Sequence, residues 1–185
     1  MKTSSCKRFT LIELLVVIAI IMILAGLVFP ALGTVRNNAK KSKASSECQG
    51  LELAIKTYQT EFSCWPAPSS SNDSVVTGSD YVKMCKILAG DNGKKTVFYE
   101  AGMGYDEKQG FLDPWGRPYE VALDFDYDQQ LAEGKIDAVK AVNSVNGRSG
   151  QNLRKSVAVY SRGVPKDDNT SIEKLAQKKK LVTSW

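Results

Sequence analysis

The sequence predicts an α+β fold: one long N-terminal helix, membrane-length in its first half, packed on a small antiparallel sheet of three or four strands. Three observations carry this expectation. Leu14–Phe29 passes sixteen residues without a charge or a strong hydrogen-bonding side chain. Beyond it, Leu51, Ile55, Tyr58 and Phe62 recur at helical spacing and mark one apolar face. Farther on, Tyr119, Val121, Leu123 and Phe125 alternate with Glu120, Ala122, Asp124 and Asp126, the period of a strand with one buried and one wet face.

At about 1.5 Å per residue, a helix from Phe9 to Phe29 reaches roughly 30 Å, the thickness of a bilayer's hydrocarbon core. Each Leu, Ile, Val or Phe contributes about −0.3 to −0.6 kcal/mol to insertion, so this run is expected to enter a membrane. Glu13 stands apart, because a carboxylate among apolar residues is costly and such a group usually has a partner. A secretory signal peptide would have an apolar core of about 7–15 residues and a small-residue cleavage site. This core is longer, and Phe29 and Pro30 interrupt Gly26–Gly33. An ordinary single-pass anchor explains the length but leaves Glu13 without a purpose. Lys2, Lys7 and Arg8 precede the run and Arg36, Lys40, Lys41 and Lys43 follow it, so charge alone leaves the orientation open.

Pro30 falls near the expected membrane surface, where it can kink a helix without ending it. Ala31–Glu61 has no further proline, and only Gly33 and Gly50 are weak points. Lys40–Glu47 is polar on nearly every side, as an exposed section would be. Cys64-Trp65-Pro66-Ala67-Pro68 ends the helix, since the residue before a proline is pushed out of the helical region. Ser69–Gly78 reads as a polar loop. Asp80 suits the start of a short helix through Leu88, with Tyr81, Met84, Cys85 and Leu88 on one side. Thr96–Tyr99 reads as a short extended segment. Asp113-Pro114-Trp115-Gly116 suits a type I turn, because Pro presets its dihedral and Asp can accept from the backbone ahead. The alternating strand starts directly after it. Ile136–Val142 reads as a further strand, Asn143–Asn152 as a loop, and Ser156–Gly163 as a strand entering a loop.

Composition bounds the chemistry. Of 185 residues about 150 remain beyond the apolar run, enough for one modest domain. The net charge is +5, of which Lys2, Lys7 and Arg8 supply three, and the remaining +2 is interspersed, so nucleic-acid binding is not indicated. The chain has no His, which removes the commonest general base and metal ligand. The four cysteines, at positions 6, 48, 64 and 85, lack C-x-x-C spacing. Ser161 has no base partner in view, no phosphate-binding loop occurs, and no enzyme is expected. Asp124, Asp126 and Asp128 superficially suit a calcium loop, but Gln129 stands where the sixth-position Gly belongs and Lys135 where the twelfth-position Glu does. They read as the wet face of the strand. Trp65, Trp115 and Trp185 read as core anchors.

Lys7-Arg8-Phe9-Thr10-Leu11-Ile12-Glu13 followed by the apolar run resembles the N-terminus of type IV prepilins and type II secretion pseudopilins. The Asp-Pro-Trp-Gly-x-Pro-Tyr turn leading into a strand, and the ending Val182-Thr183-Ser184-Trp185, resemble the major pseudopilin more than adhesive pilins. The resemblance covers roughly the first 60 residues closely, whereas Ser69–Leu112 and Gln129–Lys155 match loosely. It implies that prepilin peptidase cuts between Arg8 and Phe9, that Phe9 is N-methylated, and that Glu13 pairs with a neighbouring subunit's amino group. Arg8 departs from the Gly usual before the cut. Residues 1–8 would be a leader, 9–30 a transmembrane helix, and 31–185 an exported domain. The protein would sit in the inner membrane, leader in the cytoplasm and main domain in the periplasm.

The implied function is that of a structural subunit of a type II secretion pseudopilus, assembling into a periplasmic filament that helps export proteins. Its partners would be copies of itself and minor pseudopilins in a helical filament, the peptidase, an inner-membrane assembly platform and membrane lipid, with no nucleic acid. Two alternatives stand beside it: a type IV pilin for adhesion, motility or DNA uptake, and a membrane-anchored binding module that never polymerises. Major pseudopilins commonly bind calcium in the loop before the terminal segment. Here Asp167 and Asp168 are present, but Pro165 and Lys180 replace expected acids, so neither metal nor cofactor is expected. An exported domain permits a disulfide. Cys64 and Cys85 form the best-placed pair, closing a loop of about twenty residues worth roughly 3 kcal/mol, with two buried thiols as the alternative.

Overall fold

The computed structural model describes residues 10–68, 72–100, 104–163, 171–177 and 181–185, with the side chains of 27–32, 173 and 177 outside that description. The chain divides into two compact units, Met1–Ala39 and Lys40–Trp185. Helix α1 covers Leu11–Phe62 and runs through Pro30. In the first unit every large apolar side chain singled out between Leu11 and Leu24 is exposed, Leu11 at 81% and Leu24 at 57%. Among the described residues, which leave out the side chains of 27–32, no helix is long and apolar enough to cross a membrane.

The second unit is the expected α+β domain. A four-stranded antiparallel sheet has the order β1-β4-β5-β6, formed by Ser74–Val76, Glu120–Leu123, Val157–Ser161 and Val182–Thr183. Helix α2, Gly78–Leu88, follows β1, and the hairpin strands β2, Tyr105–Asp106, and β3, Gly110–Phe111, stand apart as a second small sheet. Helix α3 is Asp137–Val145 and α4 is Ile172–Gln177.

The sheet separates two cores. On one side Leu51, Ile55 and Tyr58 of α1 meet Tyr81, Met84 and Leu88 of α2 with Val121, Leu123, Val157 and Val159. On the other, Ala122, Ala158 and Tyr160 pack with Leu131, Ile136, Ala138 and Val139. Both faces of β4 are therefore buried, which corrects the expectation of a wet face carrying Ala122 and Asp124. Small alanines at 122 and 158 pair across β4 and β5, and the α3 segment closes over them.

Other expectations shift for identifiable reasons. Ile136–Val142 is mostly helix, not strand: Ala138, Val139 and Ala141 are buried at a spacing that suits one helix face. The expected loop Ser69–Gly78 contains β1, held by the ladder Ser74 to Leu123, Val75 to Ala122 and Val76 to Val121. Thr96–Tyr99 is not a strand, and the Phe98 and Tyr99 N–H groups donate instead to the Leu88 carbonyl, at 2.8 and 3.1 Å, finishing the end of α2.

Candidate functional site

The first unit offers its chemistry at the start of α1. Thr10 precedes the helix, and Glu13 lies in the first turn. The Glu13 N–H donates to Thr10 Oγ1 at 3.3 Å, while Glu13 Oε2 accepts from the Thr10 N–H at 2.9 Å and from its hydroxyl at 2.7 Å. This is a capping box, which satisfies two backbone donors left over at a helix start. The sequence reading missed it, although Thr-x-x-Glu before an apolar run is its signature. Arg8 and Phe9 lie outside the described residues, so the cleavage site has no structural description. Beyond Glu13 the large apolar side chains from Leu14 to Leu24 stand exposed.

In the second unit Glu52 anchors the helix to the domain's end. It is buried, and its carboxylate accepts from Lys56 Nζ at 2.7 Å and, through both oxygens, from Lys155 Nζ at 2.9 Å. Lys155 also donates to the Ser184 carbonyl at 3.3 Å. Burial raises the Glu52 pKa, but the bonds from Lys56, Lys155 and Ser184 outweigh it and hold the carboxyl below its ordinary value. Ser184 is itself stitched to β5 by Val159 N–H to Oγ at 3.1 Å and Ser184 N–H to the Val159 carbonyl at 2.9 Å. Trp185 stands edge-on to Tyr160, 6.2 Å between centroids, as a packing residue.

The Asp-Pro-Trp-Gly turn forms as its residues require. Gly116 N–H donates to the Asp113 carbonyl at 2.9 Å, and Gly116 has φ +83°, which a side chain would strain. Asp113 Oδ1 accepts from the Trp115 and Arg117 N–H groups at 2.9 Å each, and Oδ2 accepts from the Ser161 hydroxyl. Ser161 is fully buried and bound to a carboxylate that serves a turn, so it has no nucleophilic role.

The expected Cys64–Cys85 pair is not joined in the structure. Cys48, Cys64 and Cys85 are free thiols. Cys64 is exposed just past α1, whereas Cys85 is buried on α2 and accepts from the Phe111 N–H at 3.5 Å. Burial pushes the Cys85 thiol up to about 11, so it is not a reactive group.

A third cluster brings Asp73 to two acids that lie close in sequence, Asp124 and Asp126. One carboxylate oxygen each from Asp73, Asp124 and Asp126 lies within 4.8 Å of the other two. Asp73 precedes β1 and Asp124 follows β4, and the Ser74 to Leu123 register makes them neighbours. Asp128, expected in the same acidic row, instead accepts from the Gln130 N–H at 2.7 Å. Burial pushes the Asp124 carboxyl up, with Asp126 and Asp73 adding to it against backbone bonds from Gln129 and Tyr127. Two unit charges about 4.8 Å apart repel by about 3 kcal/mol at an effective dielectric of about 20. Asp73 was hidden because its neighbours Asn72 and Ser74 read as loop. Asp167 and Asp168 lie outside the described residues.

No family model matches the chain, and no solved structure matches it. Curated relatives do. A type IV major pilin protein of Neisseria gonorrhoeae is 33% identical over 137 residues, covering 71% of this chain and 74% of the relative. The type II secretion system core protein G of Klebsiella michiganensis is 30% identical, over 65% of this chain and 76% of its own length. That of Aeromonas hydrophila is 34% identical, over 61% and 70%.

Proposed function

The chain belongs to the type IV pilin and type II secretion pseudopilin family, and from that premise we propose that it is a major-pseudopilin-like subunit of a type II secretion system. It is a structural subunit and not an enzyme. In the proposed cycle residues 1–8 are removed by prepilin peptidase between Arg8 and Phe9, and Phe9 is methylated. The subunit waits in the inner membrane with residues 9–30 across it and the domain from 31 onward in the periplasm. The assembly platform then draws it into a filament with further copies and minor pseudopilins.

The observation that carries this reading is the exposed apolar stretch from Leu11 to Leu24, with Glu13 as its one acid at the helix start. Lipid covers such a surface before assembly and neighbouring helices cover it afterward. A head-to-tail contact that does not close on itself yields a filament. Glu13 and the ammonium freed at Phe9 would offset each other's burial and set axial register. The Asp113 turn and the Ser184-Trp185 ending support the pseudopilin over the pilin. The 33% identity to a major pilin keeps the adhesive or DNA-uptake pilin as the second reading.

Complementation separates the two. A strain lacking its major pseudopilin should regain secretion when this chain is expressed with its own peptidase, and sheared cells should release filaments containing it. Filaments without restored secretion would favour the pilin. Membrane-bound protein without filaments, under overexpression of the assembly ATPase, would leave only the anchored binding module.

A further inference from the structure

We propose that Asp73, Asp124 and Asp126 form a calcium site that ties the edge strand β1 to the loop leaving β4.

The acids alone would not carry this, since exposed carboxylates gather on many surfaces. What sets this group apart is that two of its members are buried and hold an oxygen with no partner. Asp73 is 6% exposed and Asp124 1% exposed. Asp73 Oδ2 accepts from the Ala132 N–H at 2.9 Å, and Asp124 Oδ2 accepts from the Gln129 N–H at 2.8 Å. Those bonds fix each side chain, and the opposite oxygens, Asp73 Oδ1 and Asp124 Oδ1, are buried without a hydrogen bond. Buried polar atoms in a folded protein are nearly always satisfied, so two orphaned carboxylate oxygens in one small space mark a missing cationic partner.

No described ion pair supplies that partner. Lys135, on the same side of the loop sequence, gives its ammonium to Asn72 Oδ1 at 2.7 Å. The geometry suits one ion. Oxygens bound to calcium at about 2.4 Å cannot lie farther apart than about 4.8 Å, and the three carboxylates meet that limit. Asp126 is exposed, so water can complete the six to eight oxygens that calcium takes. Magnesium demands a near-ideal octahedron and keeps its own water, which two rigidly held carboxylates do not favour. The loop is shaped around these acids: Tyr127 and Gln129 both have positive φ, +60° and +62°, and Gln129 thereby turns its N–H onto Asp124.

The consequence is mechanical. β1 is an edge strand of three residues joined to the sheet by β4 alone. A cation between Asp73 and Asp124 clamps the end of that ladder and removes the repulsion between them. The proposed ligands do not include Asp167 or Asp168, and the proposal does not depend on the secretion reading.

The test uses the full chain in detergent and terbium as the probe. Trp65 Nε1 donates to the Asp124 carbonyl at 2.7 Å and stacks on Tyr127 at 5.8 Å, so bound terbium would be sensitised by excitation of Trp65. Wild type should show sensitised emission that calcium displaces at least tenfold more effectively than magnesium. Asp126→Asn should weaken calcium binding at least tenfold with an unchanged far-UV circular dichroism spectrum. Asp73→Asn, which keeps an acceptor for Ala132, should do the same. The double variant Asp167→Asn, Asp168→Asn should bind as wild type. Absence of calcium-displaceable emission, equal displacement by magnesium, or emission that survives both Asp126→Asn and Asp73→Asn would each overturn the proposal.

Discussion

Thr10 and Glu13 hold each other in a reciprocal set of hydrogen bonds, so the acid at the head of the apolar helix already has a partner within its own chain. The capping box gives Glu13 a purpose that needs no second subunit, even in an ordinary anchor. The two roles ask for different things. Capping needs an acceptor three residues into the helix, which Gln provides as well as Glu. Pairing with an ammonium needs the negative charge.

Glu13→Gln should therefore keep the helix start and membrane fractionation while abolishing filaments, and Glu13→Ala should lose both the cap and assembly. Thr10→Val removes the cap and keeps the charge, so it should assemble. Filament yield in sheared fractions, beside membrane content by immunoblot, reads all three. Wild-type filament yield from Glu13→Gln would leave Glu13 as a cap only.

Glu52 predicts an acid-dependent stability. Its carboxyl is held below the ordinary 4.5, so its contribution is fully present above that value and is lost as pH falls through the lowered one. Lys155→Met leaves Glu52 with Lys56 and Ser184 and should cost about 2 kcal/mol at pH 7. The difference from wild type should shrink as the carboxyl protonates. Denaturant titrations of the full chain in detergent at neutral pH and well below 4.5 check this. A difference independent of pH would mean that lost packing of the lysine stem, and not the charge pair, is responsible.

Much of this architecture could be read in the sequence where one local pattern decided it. The apolar run, the Leu51 to Phe62 face, and α2 with its buried Tyr81, Met84, Cys85 and Leu88 all emerge from helical spacing. The Asp113 turn emerges from residue chemistry. The misses depend on contacts between distant segments. Alternation along β4 implied one wet face, but α3 covers it, and nothing near Ala122 in sequence announces that. Ile136–Val142 is too short for apolar content alone to separate strand from helix. Asp73 and Asp124 meet only through the β1 to β4 register, which short polar flanks conceal.

Asp113 predicts how tightly the family-like turn is built into the domain. Its carboxylate accepts from two half-buried backbone N–H groups and from the buried Ser161 hydroxyl on β5. Asp113→Ala should cost about 3 kcal/mol, because it takes the acceptor from three donors at once, and Ser161→Ala about 1 kcal/mol, because the hydroxyl is one bond among several. The full chain's unfolding midpoint should fall in that order. Equal losses would place the turn's weight on the Ser161 contact and not on the backbone bonds.

The cysteines provide a count that reads both the thiol assignment and the processing proposal. Cys64 is exposed, whereas burial raises Cys48 and Cys85, the latter to about 11. At neutral pH that leaves Cys85 with less thiolate than an ordinary thiol, besides shielding it from reagent. Cys6 belongs to the segment whose removal is proposed. Iodoacetamide applied to the folded, membrane-extracted protein should therefore modify Cys64 alone if cleavage falls between Arg8 and Phe9, and Cys64 with Cys6 if the leader remains. After denaturation Cys48 and Cys85 should join without any reductant, since neither is in a disulfide. Peptide mapping with N-terminal sequencing reads every case. A methylated Phe9 start with one native label meets both expectations. An intact start with Cys6 labelled removes the cleavage, and with it the freed ammonium that Glu13 is proposed to meet. Arg8→Gly, which restores the small residue usual before the cut, then distinguishes a leader that the peptidase cannot accommodate from a chain that it never encounters.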